Sequence, residues 1–342
     1  MRHTLPSAAI LALCLSVACA RNAANPQPAQ SPVTPSNTNL SVAGTCRTIT
    51  NNTGTLTLKQ DVSGADPYCL KFTGGSGELD CLGHDIQGLE LTGVHDLTIR
   101  NCRMRLVIAT QSTGVTLANN IIAADMYKTI DAVVRFSGGN NNRIVQNTID
   151  GSWAGQAHPL GGYPSGADDG IVFENDANLL IEGNTIRNNW DCGIERLGNR
   201  TDPVTIRSND ISHSGECGIG GWFAAGWQDS LITDNTVSTS GKFGEFYYSS
   251  QQNRGVDHIT FRNNVFENNR FTNPLNRALP SLTIDYVTGT SRFPIDIGNN
   301  IFRNNDFGGD ILAPRLAPPF GFVDGGDNIC QQDSKSSLTC VR

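Results

Sequence analysis

A short frame recurs in the middle of the chain: Asp168-Asp-Gly-Ile171, Asp191-Cys-Gly-Ile194, Glu216-Cys-Gly-Ile219 and Lys242-Phe-Gly-Glu245. Aligned on Gly170, Gly193, Gly218 and Gly244, these frames put Asp168, Asp191, Glu216 and Lys242 in one column. Asp169, Cys192, Cys217 and Phe243 form the next column. Carboxylates stacked so closely repel one another unless a cation, a proton or Lys242 offsets the charge. The column therefore reads as a calcium site (Asp168, Asp191, Glu216) or as acids of raised pKa. The bland alternative is a set of solvated side chains whose repulsion salt screens.

Other groups gather in the same span. All four tryptophans, Trp153, Trp190, Trp222 and Trp227, fall between residues 153 and 227, and Tyr247 and Tyr248 follow. Aromatic faces beside carboxylates suit a sugar-polymer groove, where rings stack on pyranose faces and acids bond hydroxyls. Packing of an inserted loop against the body would equally explain the rings. Glycoside hydrolysis needs two carboxylates, one of them kept protonated; Asp168, Asp169, Asp191 and Glu216 supply candidates. Uronate β-elimination needs a base and a group that neutralises the substrate carboxylate; Lys242, Arg196 and Arg135 are at hand. His158 sits in a long insertion that would present it to solvent, whereas His213 in Ser-His-Ser reads as a turn residue.

These columns exist only if distant segments stack, and a second pattern says that they do. An apolar residue, two variable residues, Asn, one more residue and another apolar residue recur. The series is Leu117–Asn120–Ile122, Ile144–Asn147–Ile149, Ile181–Asn184–Ile186, Ile206–Asn209–Ile211, Ile232–Asn235–Val237, Phe261–Asn264–Phe266 and Ile297–Asn300–Phe302. The tightest Asn-to-Asn spacings are 25, 26 and 27 residues. That period means a stacked, quasi-one-dimensional fold. It fits one circuit of three short strands and three turns, rising about 4.8 Å per circuit. Asn amides would then bond from coil to coil, and Asn also tolerates the left-handed backbone of tight turns. Cys102 and His84 occupy the Asn place in two earlier coils. The longer spacings, Asn147 to Asn184 and Asn264 to Asn300, read as coils carrying loop insertions.

Composition agrees with a turn-rich β protein: of 342 residues 36 are Gly and 17% are charged. A net charge of −7 without a basic block argues against nucleic acid. The apolar run Ala8 to Val17, ending in Ala18-Cys-Ala20, reads as a secretory signal. Leu15-Ser-Val-Ala-Cys19 resembles a lipoprotein box with Cys19 as the lipidated residue; ordinary small-residue cleavage is the competing reading. Residues 20–43 then form a Pro-, Ser- and Asn-rich linker, 44–329 the solenoid and 330–342 a C-terminal cap. Of the ten Cys, eight remain beyond Cys14 and Cys19, an even number suited to an oxidising compartment. Neighbouring pairs would be Cys46/Cys69, Cys81/Cys102, Cys192/Cys217 and Cys330/Cys340, with free thiols open as an alternative for the third pair.

The stretches Gly44-Thr-Cys-Arg-Thr-Ile49, Gly54-Thr-Leu-Thr-Leu58, Leu79-Asp-Cys-Leu-Gly-His-Asp-Ile-Gln-Gly88 and Leu97-Thr-Ile-Arg-Asn-Cys102, with the Asn coils, resemble bacterial right-handed parallel β-helix proteins. These form the pectate-lyase-like superfamily, NosD-type periplasmic proteins among them. The likeness spans about residues 44 to 305 and implies an all-β, single-stranded parallel β-helix. Its matching residues are architectural, so it does not choose an activity. Polygalacturonase-type hydrolases carry Asn-Thr-Asp, Asp-Asp and Gly-His-Gly elements. Here Asp168-Asp169 alone has a counterpart, and Cys-Gly-Ile-Gly replaces the His element. The expectation is an exported monomer, as a lipoprotein anchored through Cys19 or in secreted form, with a lateral groove near residues 127 to 248. It would act on an extracellular polysaccharide by elimination or hydrolysis, or serve as a non-catalytic binding scaffold.

Overall fold

A computed structural model describes residues 40–42, 44–125, 129–155, 165–198, 202–221 and 227–239, and shorter stretches at 246–250, 256–257, 260–267, 282–286, 300–303, 306–308, 322–330 and 340–341. The expected signal segment, Cys19 and the first part of the linker lie outside them. Among the described residues every element is a strand, and three long parallel sheets have 12, 10 and 11 strands. Within each sheet an inner strand pairs with its counterpart one coil before and one coil after, so the fold is a parallel β-helix. No described helix is long and apolar enough to cross a membrane.

The interior is a stack of aliphatic columns. Ile144, Ile181, Ile206 and Ile232 lie opposite one another in register, as do Ile122, Ile149, Ile186, Ile211 and Val237. All are fully buried. Alternation of inward apolar and outward polar residues fixes this register, because a one-residue slip would turn every core side chain outward.

The Asn column is a continuous buried ladder. The side-chain oxygens of Asn147, Asn184, Asn209, Asn235 and Asn264 each accept both the backbone N–H and the side-chain amide of the Asn one coil earlier, at 2.9 to 3.1 Å. Each ladder amide also donates to a carbonyl, as Asn209 does to Ile181 O at 3.0 Å. Cys102 does stand in the Asn place, since its N–H donates to Asn120 Oδ1. The left-handed backbone falls elsewhere than expected. It belongs to the residue just before each ladder Asn: Asn119, Gln146, Gly183, Ser208, Asp234 and Asn263. The ladder Asn is selected for its amide, and its predecessor makes the turn.

Two sequence alignments need correction. Phe261 and Phe266 pair with Phe302 and Phe307, so the last coil's frame starts at Phe302 and Asn300 is off the ladder. Phe246, not Glu245, lies opposite Ile219. The apolar column takes an apolar residue there, one place later than an alignment on Gly244 expects; Lys242, Gly244 and Glu245 themselves lie outside the described residues.

Disulfides join Cys46 to Cys69, Cys81 to Cys102 and Cys192 to Cys217, each between successive coils. The side chains of Cys330 and Cys340 lie outside the described residues. Glycines allow the coils a close approach at Gly170 and Gly193. A Cβ on Gly170 would stand 2.6 Å from Ile186 Cγ2, inside contact distance. Gly170→Ala should therefore cost about 1–3 kcal/mol through overpacking, read as a Tm lowered by several degrees. An unchanged Tm would show that this corner has slack.

Candidate functional site

The 10-stranded sheet bears the acidic column. Its strands Thr129–Ser137, Gly166–Glu174, Cys192–Leu197 and Cys217–Gly221 lie side by side. Asp191 N–H donates to Asp168 O at 2.8 Å, and Glu216 N–H to Asp191 O at 2.9 Å. Asp168, Asp191 and Glu216 thus occupy equivalent places in three coils and are all half-buried. The column begins one coil earlier than the sequence suggested. Ile130 pairs with Ala167 and Ala132 with Asp169, which puts Asp131 opposite Asp168. Asp131 escaped notice because the frame around it, Asp131-Ala-Val-Val, lacks the glycine.

Asp169 is 2% exposed, and its Oδ1 accepts the Cys192 N–H at 3.0 Å. Glu195, which the sequence did not single out, is also buried and lies close enough to raise the pKa of both Asp168 and Asp169. Burial first, then the charges of Glu195, Asp131 and Glu216, push Asp168 up to about 8. Its Oδ1 is buried and has no hydrogen-bond partner. Burial, then Glu195, Asp191 and Asp168, also hold Asp169 well above the usual carboxylate range; the Cys192 N–H opposes this. A carboxyl group of pKa near 8 carries its proton at pH 7, so Asp168 is a neutral acid among acids.

Of the nearby cations, Arg135 offsets only the first member of the column. Arg135 pairs with Asp131 and, at 3.0 Å, with Glu174. Arg196 is a core residue, contrary to expectation: it is 2% exposed, and its guanidinium lies 5.7 Å from the Phe173 ring centre and 5.2 Å from that of Trp227. Its Nη2 donates to the Asp202 carbonyl at 2.8 Å. Register explains the placement: Arg196 lies opposite Phe173, in an inward column. Lys242 and His158 lie outside the described residues.

The aromatic candidates divide in the same way. Trp227 is fully buried, edge-on to Phe173 at 5.9 Å, and packs the core. Trp153 is 7% exposed; its N–H donates to Asn188 O at 2.9 Å, and its ring edge reaches Gly215, where a Cβ would come within 3.0 Å. Trp190 is half-buried and immediately precedes Asp191, so it is the described ring beside the column that still meets solvent. Trp222 lies outside the described residues. So does the side chain of Tyr247, whose backbone is opposite Gly220.

The calcium expectation does not fit this geometry. Calcium takes 6 to 8 oxygens converging at about 2.4 Å. Asp168 and Glu216 stand two coils apart, about 10 Å along the stack. Among the described residues the donors that converge within 4.8 Å are Asp191, Cys192 and Cys217, and the two sulfurs are joined to each other. Apart from the column, a cleft of about 400 Å³ opens on the N-terminal coils, lined by Asp61, Asp85, Arg103, Arg105 and Ile121 among others. Its arginines are paired with Asp85 and Asp125 at 3.1 Å.

Among solved structures the chain is similar to the A-module of Azotobacter vinelandii mannuronan C-5 epimerase AlgE6. Identity is 14%, with 83% of this chain and 84% of that one covered, at a TM-score of 0.45. It is similar also to the Dettilon tailspike protein gp208, at 15% identity, with 81% of this chain and 60% of that one covered and a TM-score of 0.43. For the catalytic domain of a GH87 α-1,3-glucanase in complex with nigerose the values are 13%, 91%, 70% and 0.40. None of these likenesses bears on chemistry. A search of curated proteins finds no match. Residues 85–266, more than half of the chain, match the family described as right handed beta helix region. With its three parallel sheets and in-register coils, the chain belongs to the right-handed β-helix family.

Proposed function

We propose that this protein is an exported β-helix protein that binds an extracellular polysaccharide across the acidic column and hydrolyses its glycosidic bonds. The observation that carries this reading is Asp168, its Oδ1 buried without a hydrogen-bond partner, stacked beside other carboxylates on one face of one sheet, a placement that raises its pKa. Carboxyl groups whose surroundings push their pKa values apart divide the work of acid and base between them. Asp168 would protonate the leaving oxygen. Asp191 or Glu216, equally half-buried, would act as the base that activates water or as the nucleophile. Trp190 offers a ring for a sugar face. The three disulfides support export, because such bonds form and persist in oxidising compartments. Elimination from a polyuronate has less support, since Arg196 is in the core and Arg135 is engaged by two carboxylates.

The test is to incubate the protein with neutral β- and α-glycans and with polyuronates, following new reducing ends and ultraviolet-absorbing unsaturated ends. Hydrolysis predicts reducing ends without ultraviolet absorbance. Unsaturated ends would replace this reading with elimination. Neither signal on any polymer, with or without calcium, would leave a binding scaffold.

A further inference from the structure

The three disulfides are not equivalent. Cys46–Cys69 and Cys81–Cys102 bridge the first described coils, and Cys69, Cys81 and Cys102 belong to the apolar core. An exposed sheet edge is where a solenoid needs a staple. Cys192–Cys217 lies mid-stack, with coils on either side. The two coils it joins are already fastened by parallel strand pairing on all three sheets and by the Asn184–Asn209 amide bond. Neither of its cysteines is part of the apolar core cluster.

What does distinguish this bond is its surroundings. Cys192 and Cys217 directly follow Asp191 and Glu216 and lie opposite each other, with Cα atoms 4.5 Å apart. Asp191 Oδ1 touches Cys192 Sγ at 3.2 Å, a contact rather than a hydrogen bond, because a disulfide sulfur has no proton to donate. The Cys192 N–H holds Asp169 Oδ1. The charged and titratable groups around the bond are Asp131 and Arg135 on one strand and Asp168 and Asp169 on the next. Asp191 and Glu195 follow, then Glu216. Arg135 is occupied by Asp131 and Glu174. Stacked like charges push successive coils apart, and in this part of the sheet the push acts on the coils that the disulfide ties together.

We propose that the Cys192–Cys217 bond is a positioning element of the acidic column, holding Asp191 and Glu216 at coil spacing against their mutual repulsion. The column is then complete only after oxidation. In that step the two thiols give up two electrons and two protons to a thiol–disulfide oxidant, which is reduced to its dithiol. A chain still in a reducing compartment would carry a splayed column. This inference depends on the stacked charges and not on what reaction they perform, so it stands or falls separately from the hydrolytic reading.

The experiment compares Cys192→Ser/Cys217→Ser with Cys46→Ser/Cys69→Ser in the oxidised full-length protein, by Tm at pH 3, where ordinary carboxylates are largely protonated, and at pH 9. The first pair should lose at least about 5 °C more at pH 9 than at pH 3, and the second should lose the same at both. Adding Asp191→Asn and Glu216→Gln to the first pair should recover most of the loss at pH 9. If the Cys192/Cys217 variant fails to fold at pH 9, the fourfold variant should fold there. A loss independent of pH, or additive with the neutralising substitutions, would reduce this bond to an ordinary staple and overturn the proposal. So would a fourfold variant that stays unfolded.

Discussion

Replacing Asn209 by Ala should destabilise the solenoid by about 3–5 kcal/mol, as much as the loss of a large core side chain. Asn209 is 2% exposed. Its Oδ1 takes both the backbone N–H and the amide of Asn184 at 3.0 Å, and its own amide donates to Ile181 O and to Asn235 Oδ1. Alanine would orphan two donors on Asn184 and one carbonyl, each buried where no solvent replaces the lost partner. Leaving a buried group unsatisfied costs about 1–3 kcal/mol, far more than the net worth of one hydrogen bond. Asn141, by contrast, is exposed in a left-handed turn; its replacement by Ala should cost only about 1 kcal/mol, the price of the backbone conformation. Urea unfolding of the two variants compares the sites directly. If Asn209→Ala lost no more than Asn141→Ala, the ladder would be a consequence of the stacking and not one of its causes.

Asp168→Asn should change how stability depends on pH. The folded-state pKa of Asp168, about 8, stands above its ordinary 3.8. Between those values the folded chain holds a proton that the unfolded chain has released. Stability therefore falls as pH rises through that window and levels off above it. Asp169 acts in the same direction, since its pKa is also raised. Asparagine keeps the shape and the neutrality of the protonated acid, so the variant should match the parent near pH 4 and exceed it at pH 9 by a few kcal/mol. Tm measured from pH 4 to pH 9 checks this, and parallel curves for the two proteins would sink it. The same substitution removes the proposed proton donor, so any hydrolysis should fall by about 10²- to 10⁴-fold while the fold is kept. A variant that lost stability and activity together would mark Asp168 as structural.

Much of this architecture is legible in the residues because the ladder demands one chemical type. An amide side chain can accept two hydrogen bonds from the coil before and still donate both to the coil after and to a carbonyl, so Asn120, Asn147, Asn184, Asn209, Asn235 and Asn264 recur at the same place. Other buried polar positions are illegible for the opposite reason. Ser112, Asn142, Asp176 and Ser230 each accept a hydrogen bond from a neighbouring coil, yet they fall at two different places of the coil and any short acceptor suffices, so no letter repeats. Insertions break counting: the last coil's frame was misplaced because Asn300 lies within reach of the motif while the paired strand starts from Phe302. The acidic column was legible through its glycines, and Asp131 was missed where Val133 replaces them. Whether an arginine or a tryptophan faces in or out depends on which side of a strand it falls. Arg196 and Trp227 have groove chemistry but core addresses.

Burial and the neighbouring carboxylates raise the pKa of Asp168, and the proposed acid chemistry requires that it keep its proton at neutral pH. The direct measurement is the carboxyl ¹³C resonance of Asp168, assigned by its disappearance in Asp168→Asn and followed from pH 3 to pH 10. A midpoint near 8 is expected. A midpoint near 4, the value of a solvated aspartate, would contradict the acidic site and the chemistry proposed for it.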